Sequence, residues 1–120
     1  MRKLLQLLLL LLMQFVCFSQ DSLRGTITPE RAWWDVVKYD ITVEPDFATK
    51  SIKGENIITF KTIEEGNRMQ IDLQAPMQVE SIISDDKQNV KLDRYRNIYY
   101  ANFSTPLKKH SIHKIIIRFY

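Results

Sequence analysis

From Val37 to Val43 the chain alternates strictly, and no simple helix can satisfy that pattern. Val37, Tyr39, Ile41 and Val43 fall on one side, Lys38, Asp40, Thr42 and Glu44 on the other. A period of two is the signature of a strand with one buried face. Pro45-Asp46 should end this strand, since proline cannot donate to a sheet ladder, and residues 46–50 should form a short connection. Ser51 to Ile63 then reads as a long second strand, with Ile52, Gly54, Asn56, Ile58 and Phe60 on one face. Gly54 inside it predicts a bulge or a close backbone approach.

The same grammar recurs along the rest of the chain. Glu64 to Asn67 is a turn, and Met69, Ile71 and Leu73 alternate with polar neighbours until Ala75-Pro76. Met77 to Ile83 is a fourth apolar stretch, followed by a polar turn over Ser84 to Asn89. Val90 and Leu92 open a short fifth strand, and Asn97 to Phe103 makes a sixth. Ser104-Thr105-Pro106 turns again before a last, strongly apolar strand, Ile112 to Tyr120. That final strand predicts an unprotected edge where the chain ends. After the leader no segment shows helical periodicity over the roughly 11 residues such an assignment needs. The expected class is all-β: an antiparallel sandwich or saddle-like open sheet of about seven strands.

The N-terminus stands apart. Arg2 and Lys3 precede an almost wholly apolar run from Leu4 to Phe18, and Cys17-Phe18-Ser19 puts small residues two apart ahead of Gln20. This is the order of parts in a secretory signal peptide. The run is about 15 residues, short of the roughly 18 to 20 that cross a bilayer as a helix. A lipoprotein signal would place Leu and a small residue where Gln14 and Val16 stand. Cleavage by ordinary signal peptidase is therefore expected, dividing the chain into residues 1–19 as signal, 20–32 as a leader and 33–120 as the β domain. The expected location is outside the cytoplasm: periplasm, cell surface or medium. Removing Arg2 and Lys3 turns 17 basic residues into 15 against 14 acidic, so a net charge of +3 becomes +1. No basic footprint for nucleic acid remains. Cys17, the chain's single cysteine, leaves with the signal, and with it any disulfide or thiolate metal site.

Catalytic patterns are missing. There is no H-E-x-x-H, no G-x-S-x-G and no G-x-G-x-x-G; the chain holds only three glycines, Gly25, Gly54 and Gly66. His110 and His113 are three apart at the start of a strand, on opposite faces, and read as solvated. Asp85-Asp86 reads as a solvated turn. Trp33-Trp34 reads as a core plug or a clamp against a neighbouring sheet, ahead of a sugar-stacking platform. Arg94-Tyr95-Arg96 with Tyr99-Tyr100 reads as cross-strand aromatic pairing beside solubilising arginines, ahead of a single-stranded nucleic-acid platform. Asn102-Phe103-Ser104 matches the glycosylation sequon.

Trp34 to Val43, followed by Ile52-Lys53-Gly54-Glu55-Asn56-Ile57-Ile58-Thr59-Phe60, resembles the opening hairpin of zinc aminopeptidases of the aminopeptidase N type. Tyr39, Ile41 and Val43 fall on that family's Y-x-(I/L)-x-(V/L) strand, and Ile52, Gly54, Ile58 and Phe60 on its next strand. Met69 to Leu73 resembles the family's following strand, and Ile115 to Tyr120 the one that runs into a Tyr-x-Gly turn. The resemblance covers Trp33 to Tyr120. It implies a non-catalytic N-terminal β domain that caps a separate zinc-bearing catalytic domain acting on peptides. The family's Gly-Ala-Met-Glu-Asn and H-E-x-x-H lie in that later domain, so no catalytic or metal-binding residue carries over here. Cofactor expectations are therefore none for this chain and zinc for the family. The expected partner is the chain's own catalytic domain, and no stable membrane span is expected. Trp33, Trp34, Tyr39, Gly54, Phe60, Phe119 and Tyr120 are the structural and interdomain candidates. The alternatives are a stand-alone secreted sandwich that binds a peptide, glycan or protein, and an accessory domain that docks by strand addition at its C-terminal edge.

Overall fold

The computed structural model describes residues 25–87 and 90–120; the expected signal peptide and the start of the leader lie outside them. One helical turn, α1 (Pro29–Ala32), precedes seven strands: β1 (Trp34–Asp46), β2 (Ser51–Thr62), β3 (Gly66–Asp72), β4 (Val79–Ser84), β5 (Lys91–Tyr95), β6 (Ile98–Leu107) and β7 (Ile112–Phe119). They form two antiparallel sheets, one ordered β1-β2-β7-β4 and the other β3-β6-β5. The class read from sequence is thus the class found.

The core lies between the sheets. Ile58, Phe60, Ile82, Ile115 and Ile117 come from the larger sheet, Met69, Ala101 and Phe103 from the smaller. In β2 the buried residues are Ile58, Phe60 and Thr62, two apart as alternation requires. Their partners on β7 continue the layer, with Ile58 opposite Ile115 and Asn56 opposite Ile117.

Four expectations need correcting. The C-terminal strand is no exposed edge: β7 pairs with β2 on one side and β4 on the other. Its burial alternates, with Ile115 and Ile117 turned into the core. Docking through a C-terminal edge is thereby ruled out. Ser104-Thr105-Pro106 is no turn but part of β6. The proline is tolerated because β5 stops pairing at Asn102, leaving that stretch without a ladder partner on its side. Ser84, read as turn, closes β4 and is buried.

The fourth correction concerns β1. Its register shifts between Val36 and Lys38, which places Val36 opposite Phe60 and Tyr39 opposite Ile58. A bulge here puts Val36, Tyr39, Ile41 and Val43 on the core side of the sheet. Among the described residues the last three remain largely uncovered. Val37, Tyr39, Ile41 and Val43 are 59%, 53%, 61% and 48% exposed. The smaller sheet ends near Leu73, while β1 and β2 run on as a long hairpin. Alternation marks a face that prefers burial; it does not supply the cover.

Gly54 is a close approach rather than a bulge. A Cβ there would meet the Thr42 carbonyl oxygen and come within 2.8 Å of Phe119 Cζ. Replacing Gly54 by Ala should lower stability by about 1–3 kcal/mol through overpacking against backbone, read as a fall in the urea midpoint with unchanged slope.

The hairpin turns on Asp46. Its Oδ1 accepts the backbone N–H of Ala48 at 2.9 Å and of Thr49 at 3.2 Å. The Thr49 backbone bond is the largest cause that holds its carboxyl below the usual range, followed by the Thr49 side chain and Ala48. A depressed folded value means the turn's contribution is present above the unfolded carboxylate pKa of about 3.9 and is lost as pH falls through the folded value. Amide exchange at Ala48 and Thr49 should accelerate, relative to β7 amides, only in that acid range. An Asp46→Asn variant should remove this pH dependence.

Candidate functional site

Two neighbourhoods carry the chain's unusual side chains, and the sequence residues divide between them. The first is an aromatic plug at one end of the sandwich. Trp33 is buried, edge-on to Phe60 and Phe103 with ring centroids at 6.4 Å in both cases. Its indole N–H donates to the Arg68 carbonyl at 2.7 Å. Gly66 makes room for the ring, since a Cβ there would lie 2.6 Å from Trp33 Cε3. Trp34 sits edge-on to Phe60 at 5.8 Å and donates its indole N–H to Glu30 O, fastening α1. Thr28 donates to Gln70 and Arg31 pairs with Asp72, so residues ahead of Trp33 are also tied to β3. Both tryptophans are engaged as a plug, and Trp33 offers no open platform.

Beside the plug lies a cluster the sequence reading missed. His113 Nε2 is 2.7 Å from Ser111 Oγ, and His113 Nδ1 is 3.3 Å from Asp85 Oδ2. The residue types are those of a nucleophilic triad, but the arrangement does not work as one. Ser111 Oγ is also bonded to the Lys108 carbonyl and lies 3.2 Å from Thr62 Oγ1. The imidazole lies against Phe60 at 5.7 Å. The half-buried Ser111 hydroxyl donates to the Lys108 carbonyl, so its proton is not directed at the imidazole as a nucleophile's would be. The cluster is a clip. Thr62 donates to Lys108 O at 2.6 Å and accepts from Ser111 N at 2.8 Å, and Asp85 accepts from Lys114 N. His113 is therefore partnered rather than solvated. Its contacts lie far apart in sequence and no local pattern announces them.

Zinc does not fit these residues. Both ring nitrogens of His113 are taken, and His110 sits in the preceding turn at positive φ. No three His, Cys, Asp or Glu side chains converge on a metal position among the described residues. No helix among them is long and apolar enough to cross a membrane.

The second neighbourhood is the uncovered inner face. Tyr39, Ile41, Asn56, Ile58, Ile117 and Phe119 floor a cleft of about 360 Å³ where the smaller sheet stops. The Arg31–Asp72 pair, 3.4 Å apart, lies at its rim. Asn56 Oδ1 is buried in this floor and accepts no hydrogen bond among the described residues. An orphaned buried acceptor costs about 1–3 kcal/mol. Of the interdomain candidates, Tyr39 and Tyr120 are exposed and Phe119 is half-buried over Gly54, whereas Trp33 and Phe60 are consumed by this chain's own core. The arginine–tyrosine interleaving is cross-strand packing: Arg94 lies opposite Tyr99, with its guanidinium 5.0 Å from the ring, and Tyr99 Oη accepts the backbone N–H of Val79 at 3.1 Å. Because Val79 supplies an N–H, the phenol oxygen is the acceptor.

No family model matches the chain, and no curated protein does. Solved structures do. An M1 zinc metallopeptidase from Deinococcus radiodurans, as a mutant bound to a Tyr-Ser-Ala substrate, superposes with a TM-score of 0.63 at 18% identity, covering 75% of this chain and 21% of that one. The same enzyme without that mutation gives 0.62 at 18% identity, over 73% and 20%. The chain therefore has the fold of one segment of an M1 zinc metallopeptidase, and spans about a fifth of that enzyme's length.

Thr62→Val keeps the shape of the clip but strands the Ser111 N–H and removes the donor to Lys108 O. Unfolding free energy should drop by about 1–3 kcal/mol, measured by urea titration, with β6–β7 turn amides losing exchange protection first.

Proposed function

We propose that this chain is the N-terminal β domain of an exported, zinc-dependent aminopeptidase of the M1 type, and that its part is to shape and cap the substrate cleft of the catalytic domain. Residues 1–19 serve as a cleaved signal peptide, 20–32 as a leader and 33–120 as the domain. The observation that carries this reading is the fold match to a segment of an M1 zinc metallopeptidase, over three-quarters of this chain and a fifth of that one. The opening hairpin with Tyr39, Ile41, Val43, Gly54 and Phe60 in family positions supports it. So does an apolar floor left open, as suits a piece that packs against further protein. Zinc and the peptide-cleaving residues belong to the other domain, and peptides meet this one only in the whole enzyme.

The test is to read the coding DNA past the codon for Tyr120. An in-frame continuation with H-E-x-x-H and a distal Glu supports the reading. A stop codon, with a native mass equal to the processed chain, overturns it and leaves a secreted binding module. In either case the purified chain should release no measurable product from aminoacyl anilides with zinc added, and should retain no stoichiometric zinc after dialysis.

A further inference from the structure

Among the described residues β1 is an end strand of its sheet, paired with β2 alone, and its outer edge is open. Edges are usually blunted by bulges, prolines or charge, and β1 has the first two only at its ends. The bulge between Val36 and Lys38 stops regular pairing on one side, and Pro45 stops it on the other. Between them Lys38 to Glu44 is a straight, regular segment. Its inner face is the exposed row Tyr39, Ile41 and Val43.

That segment is complementary to itself. Its midpoint is Ile41. If a second copy runs antiparallel with Ile41 opposite Ile41, Lys38 falls opposite Glu44 at both ends. Asp40 then meets Thr42, and Tyr39 meets Val43. Opposite charges and aromatic–β-branched pairs directly across are the favourable cross-strand combinations. Neighbouring registers that keep the apolar residues on one face fare worse. Centring on Asp40 sets that carboxylate against itself, and centring on Thr42 sets Asp40 against Glu44 twice. Centring on Tyr39 pairs Lys38 with Asp40 but runs the seam into the bulge. The present partners of these charges, Asp40 for Lys38 at 2.6 Å and Lys53 for Glu44 at 3.3 Å, are exposed and free to be shared.

We propose that two copies of this chain associate through β1, antiparallel and centred on Ile41, to form one continuous eight-stranded sheet. The symmetry is a closed two-fold with the same patch on both subunits, so no open chain of copies grows from it. The seam joins Tyr39, Ile41 and Val43 of both copies into one apolar strip. A contact of one short strand per copy falls below the roughly 1,200–2,000 Å² of lasting complexes. The dimer therefore forms and dissociates with concentration. The proposal goes beyond the peptidase reading and does not rest on it.

The test is register-specific crosslinking of the chain as its host processes it, in a Cys17→Ser background. In the proposed seam the two 41 positions are about 4.5–5.5 Å apart between Cα atoms, within the ~4.4–6.8 Å that a disulfide spans. Ile41→Cys should oxidise to a disulfide dimer. Tyr39→Cys should crosslink to Val43→Cys when the two variants are mixed. Thr42→Cys is the control: its copies sit diagonally, about 7–8 Å apart, and should give at least tenfold less dimer. Without crosslinking, sedimentation should show a concentration-dependent dimer, weakened about tenfold or more by Ile41→Lys, which places two ammonium groups face to face. Circular dichroism of each variant checks that the fold persists. A monomer at every concentration, or equal crosslinking by Ile41→Cys and Thr42→Cys, overturns the proposal and leaves the peptidase reading as it was.

Discussion

The fold depends on the last strand arriving in the middle. β7 lies between β2 and β4, and its Ile115 and Ile117 meet Ile58 and Asn56 on one side, Ser84 and Ile82 on the other. Without it the larger sheet is a lone hairpin and a stray strand, and neither is stable in water by itself. The residues that β7 joins lie far apart along the chain, so sheet formation must close long loops before the contacts reward it. Topologies dominated by such pairings fold slowly. The clip of Thr62, Ser111, His113 and Asp85 sits where β7 enters the sheet, and it fixes that entry with short polar contacts rather than apolar area.

The two sheets are then held together unevenly. At one end Trp33, Phe60 and Phe103 interlock, with Gly66 and the Arg68 carbonyl receiving the indole. At the other the smaller sheet runs out and the hairpin continues, with Asn56 Oδ1 left without a donor among the described residues. A domain closed at one end and open at the other agrees with a chain whose fold recurs as part of a longer enzyme.

Most of the strands were legible because their neighbours impose the same period that the sequence displays. β2 and β3 are half-covered strands, and half-covered strands alternate. Where neighbours break the pattern, the sequence misleads. The apolar run of β7 looked like an unprotected terminus, although the strand lies between β2 and β4 and buries only Ile115 and Ile117. Pro106 looked like a turn because a proline's tolerance depends on whether a partner strand extends past it, which is a fact about β5 and not about Pro106. The aromatic plug was anticipated from Trp33-Trp34, and the role of Gly54 partly so. His113 and Asp85 were not, since their proximity arises from strand order. Asn56 gave no signal either: an orphaned acceptor is defined only by what surrounds it.

The bulge between Val36 and Lys38 works as a phase shifter. Trp34 and Val36 lie at even positions and Tyr39, Ile41 and Val43 at odd ones, yet all five share a face. A side chain's face is fixed by parity counted from the nearest irregularity. One inserted residue thus decouples the two halves of β1. The near half is committed to the aromatic plug, while the far half can keep its own surface in whatever environment evolution offers it. Pairing the strand regularly with that residue kept would impose one parity throughout, and either the plug or the hairpin would then present its polar side inward.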